Sequence, residues 1–399
     1  MRVGRTLPPA AAPIGLAQIV SGFCGIVRGQ KSLDRFRSEL KECFGVKHCF
    51  LVCSGRAALS LILLALEELS PNRKDVIIPA FSCFSVPSSV VRARLKLSLC
   101  DLDPDSLDFN FTQLSSMLHD TRELLAIVPT HLFGAPSDVP RLRRLSRDSG
   151  VAIVEDAAQA MGESCKGRKL GTLGDVGFFS LGRGKAFSTV EGGVILTDRD
   201  DIAEVLGHRV ESLPGYGFRR QLKLILNAIG LMLFIHPRLF WIPRLLPFLR
   251  LGATRYEPNF PIVRMTPFQA GLASGWQRRI EDLRNARAKA ADRWHAILHQ
   301  SDTHRPCIRA GDATGLLRFP IRVLDKDRRE LLLRESDRRG LGVMPVYPTS
   351  IDAVPELREM IKLMAFPVAN GCAREIVTLP THGYVSERDF AELQAVVQR

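Results

Sequence analysis

Between about residues 30 and 200 the chain alternates short apolar runs with longer stretches whose apolar residues recur every three or four positions. "SLDRFRSELKECFG" places Leu33, Phe36, Leu40 and Phe44 at helical spacing, which predicts an amphipathic helix. "HCFLVC" follows as a strand, and "SGRAALSLILLALEEL" as a long helix entered through a Ser-Gly turn. "DVIIPA", "LKLSLCDLD", "LLAIVPTHLFG", "VAIVEDAA", "VGFFSL" and "GGVILTD" read as further strands. Apolar strands separated by helix-length segments predict an α/β fold, a mostly parallel sheet with helices on both faces. In such sheets ligands gather at the carboxyl ends of the strands, where Asp101, His131, Asp156 and Ser180 fall.

The pattern breaks at residues 212–256. The stretch is apolar and carries Arg219, Arg220, Lys223, Arg238, Arg244, Arg250 and Arg255, with no acidic residue between Glu211 and Glu257. Its longest apolar run, Leu224 to Ile235, is too short for a bilayer span, which needs about 20 residues. Prolines at 237, 243 and 247 interrupt the remainder of the segment. Two readings stay open: an in-plane contact with an acidic membrane surface through residues 219–252, or a buried or subunit-interface helical hairpin. After residue 262 helical text returns, with strand-like "GLLRFPIRVL" and "EIVTLPT" and a final helix "SERDFAELQAVVQ". The expected organisation is a large α/β domain with an N-terminal arm (1–211), an apolar basic insert (212–260) and a smaller C-terminal α+β domain (261–399).

Charge sharpens this picture. The net charge is +13, and the insert's seven cations are more than half of that excess. Such a balance calls for an anionic partner. No zinc-finger spacing or aromatic RNA-binding motif is present, so phosphorylated metabolites or an acidic lipid surface are favoured over nucleic acid. The nine cysteines are scattered without a C-x-x-C pair, which predicts neither a disulfide framework nor a metal site. They point to a reducing, cytoplasmic setting, peripheral on the inner face of the membrane if the insert contacts lipid. The proline-interrupted N-terminus does not read as a cleaved signal peptide.

Three features carry chemistry. Asp156 follows four apolar residues and Glu155, so its carboxylate sits at a strand mouth. It can cap the following "DAAQA" helix or hold a cation such as a protonated cofactor nitrogen. Lys185, in "FFSLGRGKAFSTVEGG", is by itself either a surface charge or an amine for imine chemistry. "CSGRAAL" at Ser54, Gly55 and Arg56 is a turn into a helix N-terminus, either an ordinary cap or an anion cradle. A lysine, a carboxylate and a phosphate cradle are together what a pyridoxal phosphate site needs.

The order "SGRAAL", "VIIPAFSCFS", "CDLDPDSLDFN", "VPTHLFGAPSD", "VEDAAQAMGESCKGRKLGTLGDVGFFS", Lys185 and "EGGVILTD" resembles the DegT/DnrJ/EryC1/StrS family of pyridoxal phosphate (PLP)-dependent sugar aminotransferases, over about residues 28–200 and more loosely 262–399. The resemblance implies fold type I. It also implies that Lys185 forms the imine with the cofactor and shuttles protons, and that Asp156 bonds the pyridine nitrogen. Gln159 would lie beside the ring, and Ser54, Gly55, Arg56 and Ser180 would hold the phosphate. It further implies a homodimer with sites at the interface. Arg56 stands where the family usually has threonine, and Cys83 where an aromatic residue stacks on the ring, with Phe84 adjacent. Ala186 and Ile262 stand where it has asparagines, and "VYPTS" replaces "H-Y-x-P".

The resulting expectation is transfer of an amino group from an amino acid, expected to be glutamate, to a nucleotide-linked keto sugar for envelope polysaccharide or lipopolysaccharide. One alternative is a membrane-associated aminotransferase acting on a lipid-linked acceptor. Another, motivated by Arg56, Cys83 and Ile262, is a non-catalytic regulatory or scaffolding relative. A sugar dehydratase of the same fold is disfavoured by Lys185, because the family's dehydratases lack that lysine.

Overall fold

The computed structural model describes residues 2–147, 149–246, 252, 254–299, 304–308, 315–361 and 364–397. Its centre is a sheet of β1 (His48–Val52), β2 (Asp75–Pro79), β3 (Lys96–Cys100), β4 (Leu124–Ile127) and β5 (Ala152–Asp156). A two-stranded hairpin, β6 (Ser164–Cys165) and β7 (Arg168–Lys169), precedes the last members, β8 (Val176–Ser180) and β9 (Gly193–Thr197). The seven strands of the sheet are the seven predicted from apolar runs. They lie in the order β1-β9-β8-β5-β4-β2-β3. Neighbours from β3 to β8 are parallel, and β9 runs antiparallel between β8 and β1.

Every residue of β4, β5 and β9 is buried, as strands covered on both faces require. Val154, Phe178 and Ile195 point to one side, into a core with Leu59, Ile62 and Leu63; Ile153, Phe179 and Val194 point to the other, against Phe36, Leu40 and Phe44. The helices are α1 (Leu16–Arg28), α2 (Gln30–Phe44), α3 (Gly55–Leu69), α4 (Ser85–Arg92), α5 (Phe111–Met117), α6 (Val139–Leu145) and α7 (Asp200–Glu211). The N-terminal stretch, for which no element is assigned from sequence, holds α1, whose inner face carries Ile19, Gly22 and Gly25.

The basic segment forms α8 (Phe218–Phe234) and α9 (Pro237–Arg244); residues 247–251 and 253 of it, including Arg250, lie outside the described residues. Only Leu224 and Ala228 of α8 are fully buried, while Phe218 is 83% exposed and Leu226 59%. The segment is therefore a surface element of this chain rather than a buried hairpin. No helix among the described residues is long and apolar enough to cross a membrane.

The chain then passes through α10 (Pro267–Leu272) into α11 (Trp276–Leu298), which at 23 residues is about 34 Å long. Trp276 sits in the core under the large sheet, whereas Trp294 packs on Phe390 and donates its indole N–H to the Pro380 carbonyl at 2.9 Å. That far end belongs to an antiparallel sheet of β10 (His304–Pro306), β11 (Phe319–Val323), β12 (Met344–Pro345) and β13 (Ile376–Leu379), in the order β10-β11-β13-β12. The helices α12 (Lys326–Arg339), α13 (Pro367–Glu375) and α14 (Glu387–Val397) accompany it. The N-terminal arm lies here too: Arg5 makes a two-pronged pair with Asp389 at 2.6 Å, and the Leu7 amide donates to the Gly340 carbonyl.

Asp101, at the end of β3, joins the two sheets. Its buried carboxylate accepts from the Leu102 amide (2.9 Å) and from Val368 (3.0 Å) and Ala369 (2.8 Å) in the first turn of α13. An anion is favoured at a helix N-terminus, so a residue that sequence places at a ligand-collecting strand end serves here as a clasp. Asp101→Ala is expected to lower unfolding stability by about 3 kcal/mol, seen as a lower urea midpoint, because three charge-assisted bonds are lost together.

Candidate active site

The mouth of the site is a convergence of three backbone ends. Ser54 has an extended backbone and caps α3, its Oγ accepting from the Ala57 amide at 3.2 Å. The amides of the next two residues, Gly55 and Arg56, belong to the first turn, which has no intrahelical carbonyl to bind. A β-carbon on Gly55 would come within 2.7 Å of the Ser180 β-carbon, and one on Gly193 would overlap the Ser54 carbonyl. Glycine is needed at both positions for the end of β8 and the start of β9 to close on the helix start. Ser54, Gly55 and Ser180, far apart in sequence, are thereby brought together. Free amides, a helix dipole and a hydroxyl make this a fitting cradle for a phosphate. Arg56 contributes its backbone amide: its guanidinium turns to Glu257 at 3.0 Å and lies over the Phe260 ring.

Asp156 closes β5 and is buried. One carboxylate oxygen accepts from the Ala158 amide at 3.0 Å, so the carboxylate also shapes the turn beyond the strand. Burial pushes this carboxyl above the usual carboxylate range, against the opposing pull of the Lys185 charge, the Ala158 amide and His131. Its charge is thus incompletely answered by the protein, which fits a site for a protonated ring nitrogen.

Lys185 is half-buried in the turn after β8, with its amide donating to the Gly182 carbonyl. The turn is held from behind. Buried Arg287 of α11 donates to the Ala186 carbonyl at 2.9 Å, and Arg279 lies over the Phe187 ring. Burial lowers the Arg287 pKa to about 10, with the Glu163 charge opposing. On the other flank, Glu191 accepts from the Tyr216 hydroxyl at 3.0 Å and lies 3.7 Å from Arg220 of α8.

The inner wall is Gln159, whose Oε1 accepts from the Phe133 amide at 3.3 Å and whose Nε2 donates to the Tyr347 hydroxyl at 3.2 Å. Tyr347 packs edge-on against Phe81 and stacks on Phe84. Phe84 is therefore occupied by Tyr347, and half-exposed Cys83 keeps its own position, with its thiol accepting from Ser85. Arg318 lies within charge range of Tyr347 and Cys83. Sequence reasoning does not assign Tyr347 or Arg318; the first stands in "VYPTS" as a broken motif, the second inside the strand-like "GLLRFPIRVL".

His131 lies at a strand end, as expected, but it serves the scaffold. Its Nδ1 accepts from the Ser137 amide at 3.0 Å, which leaves the proton on Nε2 to donate to Glu155 at 2.8 Å, both side chains fully buried. Glu155 points away from Asp156, as alternation along a strand demands. It also accepts from the amides of Gly171 (2.9 Å), Leu173 and Gly174 (2.5 Å), which fixes the loop leading into β8. Among the described residues no cluster of histidine, cysteine and carboxylate side chains could hold a metal ion.

This chain belongs to the DegT/DnrJ/EryC1/StrS aminotransferase family, whose profile matches residues 25–398, and it is a PLP-dependent aminotransferase. It is 25% identical over 387 residues to the GDP-perosamine synthase of Caulobacter vibrioides, covering 92% of this chain and 91% of that one. It is 32% identical over 207 residues to the L-glutamine:2-deoxy-scyllo-inosose aminotransferase of Streptomyces fradiae, about half of each chain. Its fold superposes with a TM-score of 0.79 at 17% identity on Helicobacter pylori PseC, described as an aminotransferase in pseudoaminic acid biosynthesis, covering 98% of both chains. It also superposes with a TM-score of 0.77 at 16% identity on the GDP-4-keto-6-deoxy-D-mannose-3-dehydratase of E. coli, covering 98% and 99%. The fold-type-I architecture is thus in place.

The Glu155 cluster has a pH signature. Burial raises its carboxyl, but the His131 hydrogen bond and charge and the Gly174 and Gly171 amides outweigh this and hold it below its ordinary 4.5. A lowered carboxyl stabilises the fold fully above the unfolded value, and the contribution is lost as pH falls through the folded one. Glu155→Gln is expected to flatten the acid side of the stability profile below pH 4.5 and to cost about 3 kcal/mol at pH 7. Urea unfolding at a series of pH values measures both.

Proposed function

We propose that this chain transfers the amino group of an amino acid, glutamate being the expected donor, to the keto carbon of a nucleotide-linked sugar destined for cell-envelope polysaccharide or lipopolysaccharide. The observation that carries this reading is one buried carboxylate and one half-buried lysine within charge range of each other, at the strand ends where Ser180 closes on the start of α3.

When bound, PLP supplies an electron sink for the bond changes at the reacting carbon. Ser54, Gly55, Arg56 and Ser180 would hold its phosphate through the first-turn amides and two hydroxyls. Asp156 would keep the ring nitrogen protonated, and its raised carboxyl pKa is relieved by that cation. Gln159 would orient the ring from its inner side, with Cys83 at the position facing Tyr347 and Arg318. Lys185 Nζ would join the cofactor covalently at rest and, once released, take the proton from the donor's Cα and return one at the sugar carbon. The Arg287 bond to Ala186 keeps that amine on station, and the amino group leaves one substrate as a 2-oxo acid is formed and enters the other as a ketone is consumed. That a GDP-perosamine synthase is among the relatives supports a nucleotide-sugar acceptor.

Borohydride reduction of the cofactor-loaded protein should fix the label on the peptide containing Lys185, and Lys185→Ala should yield no labelled peptide by mass spectrometry. The same variant should release no 2-oxoglutarate from glutamate with any keto sugar nucleotide, against clear release by the parent; a parent that takes up no PLP would sink the reading.

A second element of the reading concerns the insert. Phe218, Leu222, Leu226 and Leu233 form an exposed apolar stripe along α8, with Arg219 and Lys223 beside it. A two-fold contact through this face would set each cluster of cations against its own copy, which repels, whereas an anionic bilayer answers both the apolar stripe and the charge. This favours peripheral docking on an acidic membrane, and leaves the homodimer expected of such enzymes to other faces. In flotation assays the protein should rise with phosphatidylserine-containing liposomes and not with neutral ones. The exposed pair Leu222→Asp and Leu226→Asp should abolish flotation with the unfolding midpoint unchanged.

A further inference from the structure

Lys169 of β7 turns its side chain onto the end of α2. Its ammonium donates to the Cys43 carbonyl, one of the last-turn carbonyls that a helix leaves without an internal partner. It also lies 5.4 Å from the centre of the Phe44 ring. These two contacts cap the helix, and they bring Nζ to 3.1 Å from the Cys43 Sγ. The thiol is half-exposed and the lysine exposed, so a small solute can reach the pair.

The other cysteines lack this arrangement. Burial pushes the thiols of Cys49, Cys100 and Cys307 up to about 12 and that of Cys372 to about 11, so they stay protonated and inert at neutral pH. Cys83 accepts from the Ser85 hydroxyl, and Cys53 donates to the Pro261 carbonyl. Among the described residues Cys43 is the one cysteine with a lysine nitrogen within hydrogen-bond reach. An accessible thiol is open to oxidation, and the sulfenic acid it forms condenses with a nucleophile held beside it. At Cys43 that nucleophile is an amine.

We propose that Cys43 and Lys169 form a reversible sulfur–nitrogen cross-link when the protein meets hydrogen peroxide. First, the Cys43 thiolate attacks the peroxide O–O bond. Sulfur gains one oxygen as sulfenic acid, a two-electron oxidation, and hydroxide leaves. Then the Lys169 nitrogen, having given one proton to solvent, attacks that sulfur through its lone pair. The S–N bond forms as the S–O bond breaks, and the oxygen leaves as water with a second amine proton. One thiol, one amine and one peroxide thus become a sulfenamide and two waters. A small thiol reverses the link by attacking sulfur and releasing the amine, and a second thiol then frees Cys43 from the mixed disulfide. The partners stand 126 positions apart, so the link closes a long loop. It ties α2, whose Phe44 packs on Phe179 and Trp276, to the hairpin that leads through the Glu155-held loop into β8.

The test treats the PLP-loaded protein with a few equivalents of hydrogen peroxide and reads its digest by mass spectrometry, with no readout that depends on turnover. Expected is one cross-linked pair, the peptides containing Cys43 and Lys169, about 2 Da lighter than their sum and returned to the free peptides by dithiothreitol. Cys43→Ser and Lys169→Arg should each abolish it. The arginine keeps a cation at the helix end but does not condense, so Cys43 in that variant should go on to sulfinic acid, about 32 Da heavier. Cys165→Ser, on the neighbouring strand β6, should leave the link intact. The oxidised parent should melt several degrees above its reduced form, a rise absent from Lys169→Arg, whose reduced form should melt with the parent. A parent in which Cys43 appears only as thiol or sulfinic acid would overturn the proposal. So would a disulfide to Cys165 in its place, or a bridge about 14 Da heavier than the summed peptides, which would retain the sulfenic oxygen.

Discussion

A carboxylate buried at the end of a parallel strand governs the rest of this structure. Asp156 sits where β5 stops, inside a sheet covered on both faces, and burial resists its ionisation. Nearly everything around the site supplies positive potential or directed N–H groups to that end of the sheet. Lys185 comes from the turn after β8, the amides of α3 face inward, and Arg287 of α11 braces the lysine's turn. The strand order makes this possible: β5 and β8 are neighbours, so the carboxylate and the lysine loop leave adjacent strands on the same edge. The opposite side chain, Glu155, anchors the loop entering β8, so a single strand end sets both the chemistry and its scaffold.

The sheet was legible because its strands are buried on both faces and read as unbroken apolar runs, each bounded by turn residues. The cradle was legible for a related reason: Ser54, Gly55, Ser180, Asp156 and Lys185 each stand at a fixed offset from a strand end, so local text places them. Tyr347 and Arg318 were not. They reach the site from the small sheet, and their approach depends on how α11 carries the chain across, which no local pattern encodes. Asp101 and His131 show the converse limit. Both occupy strand ends, but one clasps α13 and the other pairs with Glu155, because strand alternation and domain docking decide which way a side chain at such an end is used. The helix α1 was not read from sequence although Leu16, Ile19, Val20, Phe23, Ile26 and Val27 recur at helical spacing; the face it buries is Ile19, Gly22 and Gly25, and most of the apolar period stays exposed.

The departures from the family pattern acquire physical content in this setting. Ala186 lacks an amide side chain, but its carbonyl is the point at which Arg287 grips the lysine's turn, a contact that uses backbone alone. Cys83 is small where an aromatic ring is usual, and the aromatic surface nearby, Phe81 and Phe84, is committed to Tyr347. Ile262 packs on the core beside the segment that pairs with β1, where the Cys53 amide donates to the Val263 carbonyl. Each departure is met by contacts within this chain, and Lys185 still lies within charge range of Asp156, which argues against a purely scaffolding role.

The insert is joined to this geometry rather than merely appended to it. Glu191, six residues beyond Lys185, bonds Tyr216 and faces Arg220 at the start of α8, while the Gln269 amide nitrogen donates to its carbonyl at 2.6 Å. At the far end, Arg244 pairs with Asp337 of α12, and the Thr6 amide donates to the Pro237 carbonyl. The insert is therefore pinned at one end to the loop that carries the lysine and at the other to the small sheet that carries Tyr347 and Arg318. Its cations divide accordingly. Arg220 and Arg244 are spent on internal carboxylates, whereas Arg219 and Lys223, beside the apolar stripe, and Arg238 on α9 remain exposed. Because both ends are fixed to walls of the same site, a surface that holds the stripe also holds the orientation of the site's mouth, which makes the position of the insert a constraint on how an acceptor can approach.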